Sequence, residues 1–142
     1  MVIEEPIRIA RAVLDAIEAH ARTEAPRECC GLLIASRGVI EAAVPVQNRA
    51  AEPHHRYEID PRDYLALVKQ LRGTDDLVIG GYHSHPRSMP EPSATDRDLA
   101  FGEFLYLIAG PVEGPGTFGI RAYRFASGNF RPLPLVPQPE EP

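Results

Sequence analysis

Between Ala10 and Arg22 the apolar residues fall at Val13, Leu14, Ile17 and Ala21. That is the spacing of an amphipathic helix with one buried face. Ala25-Pro26 follows, and a proline disfavours helical conformation in the residue before it, so the helix is expected to stop there. Cys29 to Ala35 is a short, nearly continuous apolar run, Arg37-Gly38 reads as a turn, and Val39 to Gln47 reads as a second strand. Together they predict a hairpin. Arg56 to Ile59 predicts another short strand. Asp60-Pro61 then has the form of a helix start, with Asp60 as N-cap and Pro61 at the first helical position. The helix runs through Tyr64, Leu65, Val68 and Leu71, and Gly73 ends it.

Asp76 to His85 contains Leu77, Val78, Ile79, Gly80, Gly81 and Tyr82, a buried strand that turns polar at its end. Pro86 to Pro92 predicts a loop and Ser93 to Gly102 a short helix. Phe104 to Ala109 and Phe118 to Phe125 predict two more strands, joined by the Gly/Pro-rich loop from Gly110 to Gly116. From Pro132 the chain reads PLPLVPQPEEP, expected to be an extended or disordered tail. The predicted organisation is one domain over residues 1–131 and a tail over 132–142. Helices mixed with strands and at least one hairpin place the domain in the α+β class.

A length of 142 residues suits a single core. The charged share of 25% and the net charge of −5 come without a long basic run, so nothing advertises nucleic-acid binding. No segment approaches the roughly 20 consecutive apolar residues of a membrane span. Glu4, Glu5 and Pro6 stand where a signal peptide would carry positive charge, so a cytoplasmic location is expected. Cys29 and Cys30 are adjacent and have no other cysteine to pair with; they are expected to be small core residues. His20, His54 and His55 are expected at the surface.

Candidate chemistry is concentrated in His83-Ser84-His85-Pro86 and Ser93-Ala94-Thr95-Asp96. Residues two apart in a strand project to the same face, so His83 and His85 present two imidazoles together, while Tyr82 faces the other way, into packing. Pro86 places the pair near the strand's end. Two histidines and Asp96 make three ligands of the kind zinc takes, with a fourth position open. Ser93-x-x-Asp96 also has the form of a capping box, in which serine and aspartate close the first turn of a helix. Glu28, taken alone, reads as a solvated turn carboxylate. Asn48 reads as a loop residue that satisfies backbone groups.

The combination resembles the JAMM/MPN metalloprotease signature. Pro26-Arg27-Glu28-Cys29-Cys30-Gly31 precedes it, and Val46-Gln47-Asn48, Tyr57-Glu58-Ile59-Asp60-Pro61 and Val78 to Gly81 match the usual surroundings. The likeness covers roughly residues 7 to 125. It implies the MPN fold, a curved β-sheet flanked by helices and similar to cytidine-deaminase-like architecture. It implies Zn²⁺ on His83, His85 and Asp96, Glu28 as general base and proton shuttle, and Ser93 holding the oxyanion or the substrate carbonyl. Short members of this type are similar to peptidases that act at the C-terminal Gly-Gly tail of ubiquitin-like sulfur-carrier proteins, which makes such a protein the implied partner.

Three other readings compete. A non-catalytic MPN scaffold typically lacks metal ligands that this chain retains. A nucleic-acid-associated relative with a similar His-x-His-Pro stretch would carry an added helical region and a different charge. A zinc hydrolase of small amides is permitted by the same ligand set.

Overall fold

The computed structural model describes residues 6–100, 104–113 and 117–139. The first element, β1 (Ile7–Ala10), was not foreseen: Ile7 and Ile9 alternate with Arg8 and are fully buried, but four residues are too few for the alternation to stand out beside the longer helical pattern that follows. Helix α1 (Arg11–Glu24) carries Val13, Ile17 and Ala21 on its buried face, and Ala25 caps its end, its N–H bonding to the Ala21 carbonyl. The expected hairpin is β2 (Cys30–Ser36) and β3 (Val39–Val46), antiparallel from Cys30 opposite Val46 to Ser36 opposite Val39.

Helix α2 (Pro61–Leu71) begins as its sequence predicts. The Asp60 carboxylate accepts the Arg62 backbone N–H at 2.9 Å, and Pro61 occupies a position that needs no intrahelical donor. Strand β4 (Asp76–Ser84) follows, then helix α3 (Ala94–Leu99), shorter than the expected span to Gly102, which lies outside the described residues. Strands β5 (Leu105–Pro111) and β6 (Phe118–Ala126) form an antiparallel pair. Residues 114–116 of the connection between them lie outside the described residues.

Two expectations need correction. Arg56–Ile59 is extended but belongs to no strand. The Asn48 side chain supplies what a neighbouring strand would: its amide donates to the Arg56 carbonyl and its oxygen accepts the Glu58 N–H, each at 3.0 Å. Of the stretch from Pro132, the described residues are extended, but they are paired rather than disordered; residues 140–142 lie outside the described residues. Strand β7 (Asn129–Leu133) joins β6, and β8 (Leu135–Gln138) runs parallel to β1, Ile7 opposite Leu135 through Ala10 opposite Gln138. The prolines are tolerated because β7 and β8 are the two edges of the sheet, where one side of each strand needs no partner.

Among the described residues the sheet has eight strands, in the order β7-β6-β5-β4-β2-β3-β1-β8. It is mixed: β4 runs parallel to β5 and antiparallel to β2. Helix α1 packs against β1, β3, β4, β5 and β6, while α2 packs on β4. Ile7, Ile9, Ile17, Leu33, Ile40, Tyr82 and Leu107 form the centre of the core, each burial of this kind contributing roughly 1.5–3 kcal/mol before chain entropy is counted. Tyr82 lies on the α1 side, its hydroxyl 2.8 Å from His20 Nδ1. His20 is therefore half-buried and partnered rather than a plain surface residue, and burial lowers its pKa. Gly31 makes room for that tyrosine: a methyl on its α-carbon would overlap the Tyr82 ring. No helix among the described residues is long and apolar enough to cross a membrane.

Candidate metal centre

Strand β4 lies between β2 and β5, so its C-terminal end is held from both sides. Cys30 is opposite His83 on β2, and Ile108 is opposite it on β5. Beyond the ladder, the Ser84 hydroxyl accepts the Cys29 N–H at 2.8 Å, the Ser84 N–H donates to the Cys29 carbonyl at 3.1 Å, and the His85 N–H donates to the Ala109 carbonyl at 2.7 Å. These bonds fix the two histidines, and they fix Glu28 just ahead of β2. Alternation along β4 sends Tyr82 toward α1 and His83 to the opposite face, where the Tyr57 ring stacks on it with centroids 4.2 Å apart and planes 19° apart.

Three side chains meet on that face. His83 Nε2 and His85 Nε2 are 3.3 Å apart, His83 Nε2 is 3.2 Å from Asp96 Oδ1, and His85 Nε2 is 3.0 Å from Asp96 Oδ2. All three residues are buried. The capping reading of Ser93 and Asp96 also holds: Ser93 Oγ accepts the Asp96 N–H at 3.0 Å, and Asp96 Oδ2 accepts the Ser93 N–H at 2.9 Å. The two readings are one structure. The cap fixes the rotamer that aims the carboxylate at the histidines.

Glu28 completes the group, with donor atoms of Glu28, His83 and His85 all within 4.8 Å of one another. Its backbone is tied on both sides, the N–H to the Pro53 carbonyl at 2.8 Å and the carbonyl to the Asn48 amide at 3.0 Å. Asn48 thus does the backbone-satisfying work its sequence position suggested, and it joins Glu28 to the Tyr57 segment. Among the described residues, Glu28 Oε1 and His83 Nδ1 are buried without a hydrogen-bond partner.

The electrostatics follow from burial and crowding. Burial pushes the Glu28 carboxyl up to about 7; His85 pulls it down and Asp96 pushes it up. Burial opposes ionisation of Asp96, but hydrogen bonds from His83 and His85 outweigh it and hold the group well below the usual carboxylate range. Burial lowers His83. For His85 burial is outweighed by the Asp96 bond and the Met89 carbonyl, and the net direction is upward.

The donor set fits a metal ion. The Met89 carbonyl, 2.9 Å from His85 Nδ1, can only accept, so that nitrogen carries a proton, and with a cation in place of the proton shared with Asp96 the Nε2 of the neutral ring would present a lone pair. A second imidazole nitrogen and an ionised carboxylate face the same point, which calls for a cation. Ligands about 2.0–2.2 Å from a common tetrahedral ion lie roughly 3.3–3.5 Å apart, close to the 3.0–3.3 Å found here.

The structure brings Glu28, His83, His85, Ser93 and Asp96 into one cluster, with Ser93 exposed at its rim. Sequence reading missed Tyr57 and the Met89 carbonyl. Tyr57 carries no motif of its own, and a backbone carbonyl leaves no mark in a sequence. Cys29 and Cys30 are buried, as expected, and burial raises both thiols, to about 11 and about 12. His54 and His55 are exposed.

Fold and site together define an α+β domain of the JAB1/MPN type. Residues 10–126 match the family described as prokaryotic homologs of the JAB domain, and the chain belongs to that family. It is similar to the desampylase of Haloferax volcanii, 38% identical over 137 residues, covering 92% of this chain and 95% of that one. It is also similar to the CysO-cysteine peptidase of Mycobacterium tuberculosis, 29% identical over 125 residues, covering 87% of this chain and 85% of that one. Among solved structures, a protein from Desulfitobacterium hafniense superposes with a TM-score of 0.82 at 28% identity, over 94% of this chain and 93% of that one.

Proposed function

We propose that the protein is a zinc-dependent peptidase or isopeptidase that hydrolyses an amide bond at the C-terminal Gly-Gly tail of a ubiquitin-like sulfur-carrier protein. The observation that carries this reading is the convergence of His83, His85 and Asp96 on one point with the unpaired Glu28 carboxyl beside them. The similarity to a CysO-cysteine peptidase and a desampylase supports the choice of substrate class.

His83, His85 and Asp96 would hold the zinc. When bound, the ion supplies Lewis acidity, making water a competent nucleophile near neutral pH. Glu28 takes a proton from the attacking water and delivers it to the departing amine. Its buried place beside His83 and His85 puts it within reach of both the water and the leaving nitrogen. The Ser93 oxygen is engaged by the Asp96 N–H, which leaves the hydroxyl proton free to be donated to the carbonyl oxygen as negative charge builds there. Asp96 would be ionised as a ligand, its negative charge offsetting part of the charge of the cation. Glycine lets a substrate backbone approach closely where a side chain would collide, which accounts for a Gly-Gly requirement.

The test is direct. The zinc-loaded protein is incubated with a sulfur-carrier protein extended by several residues beyond its Gly-Gly, and the products are weighed. Cleavage immediately after Gly-Gly, lost when the last glycine is changed to leucine, is expected. Cleavage elsewhere, equal cleavage of the leucine variant, or activity confined to small amides would overturn the substrate assignment.

A further inference from the structure

We infer that Tyr123, on β6 and outside the metal cluster, is a positioning residue that sets the aim of His85 through the loop after β4. The inference rests on the metal-site reading above and adds a residue to it.

The loop crosses back over β5 and β6 before it reaches α3. Its central carbonyl, that of Met89, takes the His85 Nδ1–H at 2.9 Å. That bond selects the ring tautomer and points Nε2 at His83 and Asp96. A carbonyl on a loop can do this only if the loop is itself held. The Met89 oxygen also accepts the Glu91 N–H at 2.7 Å, closing a tight three-residue turn with Pro90 at its centre. Pro90 is fully buried, and its ring restricts the backbone φ. The turn is then anchored from below, where the Tyr123 hydroxyl donates to the Pro90 carbonyl at 2.8 Å across a separation of 33 residues in a buried setting. Tyr123 itself is fixed by its place on β6, opposite Tyr106 on β5 and Pro132 on β7.

A second feature serves the same turn. On β5, Gly110 lies directly beneath the loop: a Cβ there would come within 2.6 Å of the Ser88 carbonyl and 3.3 Å of the Pro90 nitrogen. Both are backbone atoms and cannot rotate aside, so the close seat of the loop on the sheet requires glycine. Hydroxyl and glycine together hold the Met89 carbonyl where His85 needs it. Arg121, two residues before Tyr123 on the same strand, adds an exposed ion pair to Glu91 at 3.4 Å, a contact too solvated to fix the turn by itself.

Partners that orient a metal-binding histidine typically matter by about 10- to 100-fold in metal affinity. Tyr123 acts one step further out, so about 10-fold is expected. The test uses the full chain and zinc alone, with affinity read by competition against a chelating dye. It compares wild type, Tyr123→Phe, Gly110→Ala and Lys69→Ala, and records the visible spectrum of each cobalt-substituted form. Tyr123→Phe and Gly110→Ala should both weaken zinc binding by about 10-fold and shift the cobalt bands, while Lys69→Ala, an exposed change on α2, leaves both unchanged. A Tyr123→Phe protein that melts earlier but binds zinc as tightly as wild type, with an unaltered cobalt spectrum, would show a merely structural tyrosine and overturn the inference. A wild type that binds no zinc would instead overturn the metal-site reading on which it rests.

Discussion

Glu28→Gln separates the proton-handling role from metal holding and carries a second, thermodynamic signature. Glutamine keeps the volume of the side chain and removes its ionisable proton. In the metal-free protein the Glu28 carboxyl is pushed from 4.5 to about 7, chiefly by burial. A folded-state value above the unfolded one means that the contribution of the protonated group is intact below about pH 4.5 and is lost as pH rises through about 7. Above that, the fold carries a buried charge with an unpaired oxygen. The gap between the two values sets an upper bound of about 3 kcal/mol on the cost. Metal-free Glu28→Gln should therefore match wild type near pH 5 and melt later at pH 8. The zinc-loaded variant should lose turnover by roughly 10²- to 10⁴-fold, the usual share of a general acid–base group, with zinc retained. Thermal melts at the two pH values, zinc analysis and turnover on a Gly-Gly fusion give the three readouts. Full activity would refute the proton-transfer role. Loss of zinc would make Glu28 a ligand, and an unchanged melt at pH 8 would mean that the carboxyl is not destabilised by burial.

Gly31→Ala drives a methyl into the Tyr82 ring in the core and should cost about 1–3 kcal/mol, lowering Tm by several degrees; an unchanged Tm would mean that Tyr82 has room to move. Cys29 and Cys30 are buried, with thiols raised to about 11 and about 12. Native protein at pH 7.5 should react with a thiol reagent at least about 100-fold more slowly than protein in denaturant, since thiolate is the reacting form. Rapid labelling of the native chain would contradict their placement in the core.

Much of the fold is legible in the sequence because its signals are local. The α2 start is written in Asp60-Pro61, the hairpin in two apolar runs around Arg37-Gly38, and the metal face in the two-residue spacing of His83 and His85. What escaped depends on partners distant in the chain. The sequence from Leu133 to Gln138 reads as a proline-rich tail until β1 is there to pair with it, and β1 is too short to announce itself. Arg56–Ile59 has the composition of a strand, but in place of a ladder it bonds to the Asn48 side chain and, through the Glu58 carbonyl, to the Arg49 N–H. At the site, the sequence of Ser93 and Asp96 reads as either cap or ligand, and a single carboxylate both closes the cap and faces the histidines. Glu28 could be assigned only by resemblance, because its nearness to the histidines is made by the β2–β4 pairing and not by spacing along the chain.

The central claim is that His83, His85 and Asp96 together hold one zinc ion. It is tested most directly by stripping the protein with a mild chelator, re-equilibrating it with zinc, removing the excess and measuring metal per chain. Wild type should return about one equivalent, as a set of three protein ligands with one open position predicts, and the combined His83→Ala, His85→Ala variant should return none. A wild type that takes up no stoichiometric zinc, or a double variant that keeps it, would contradict the account.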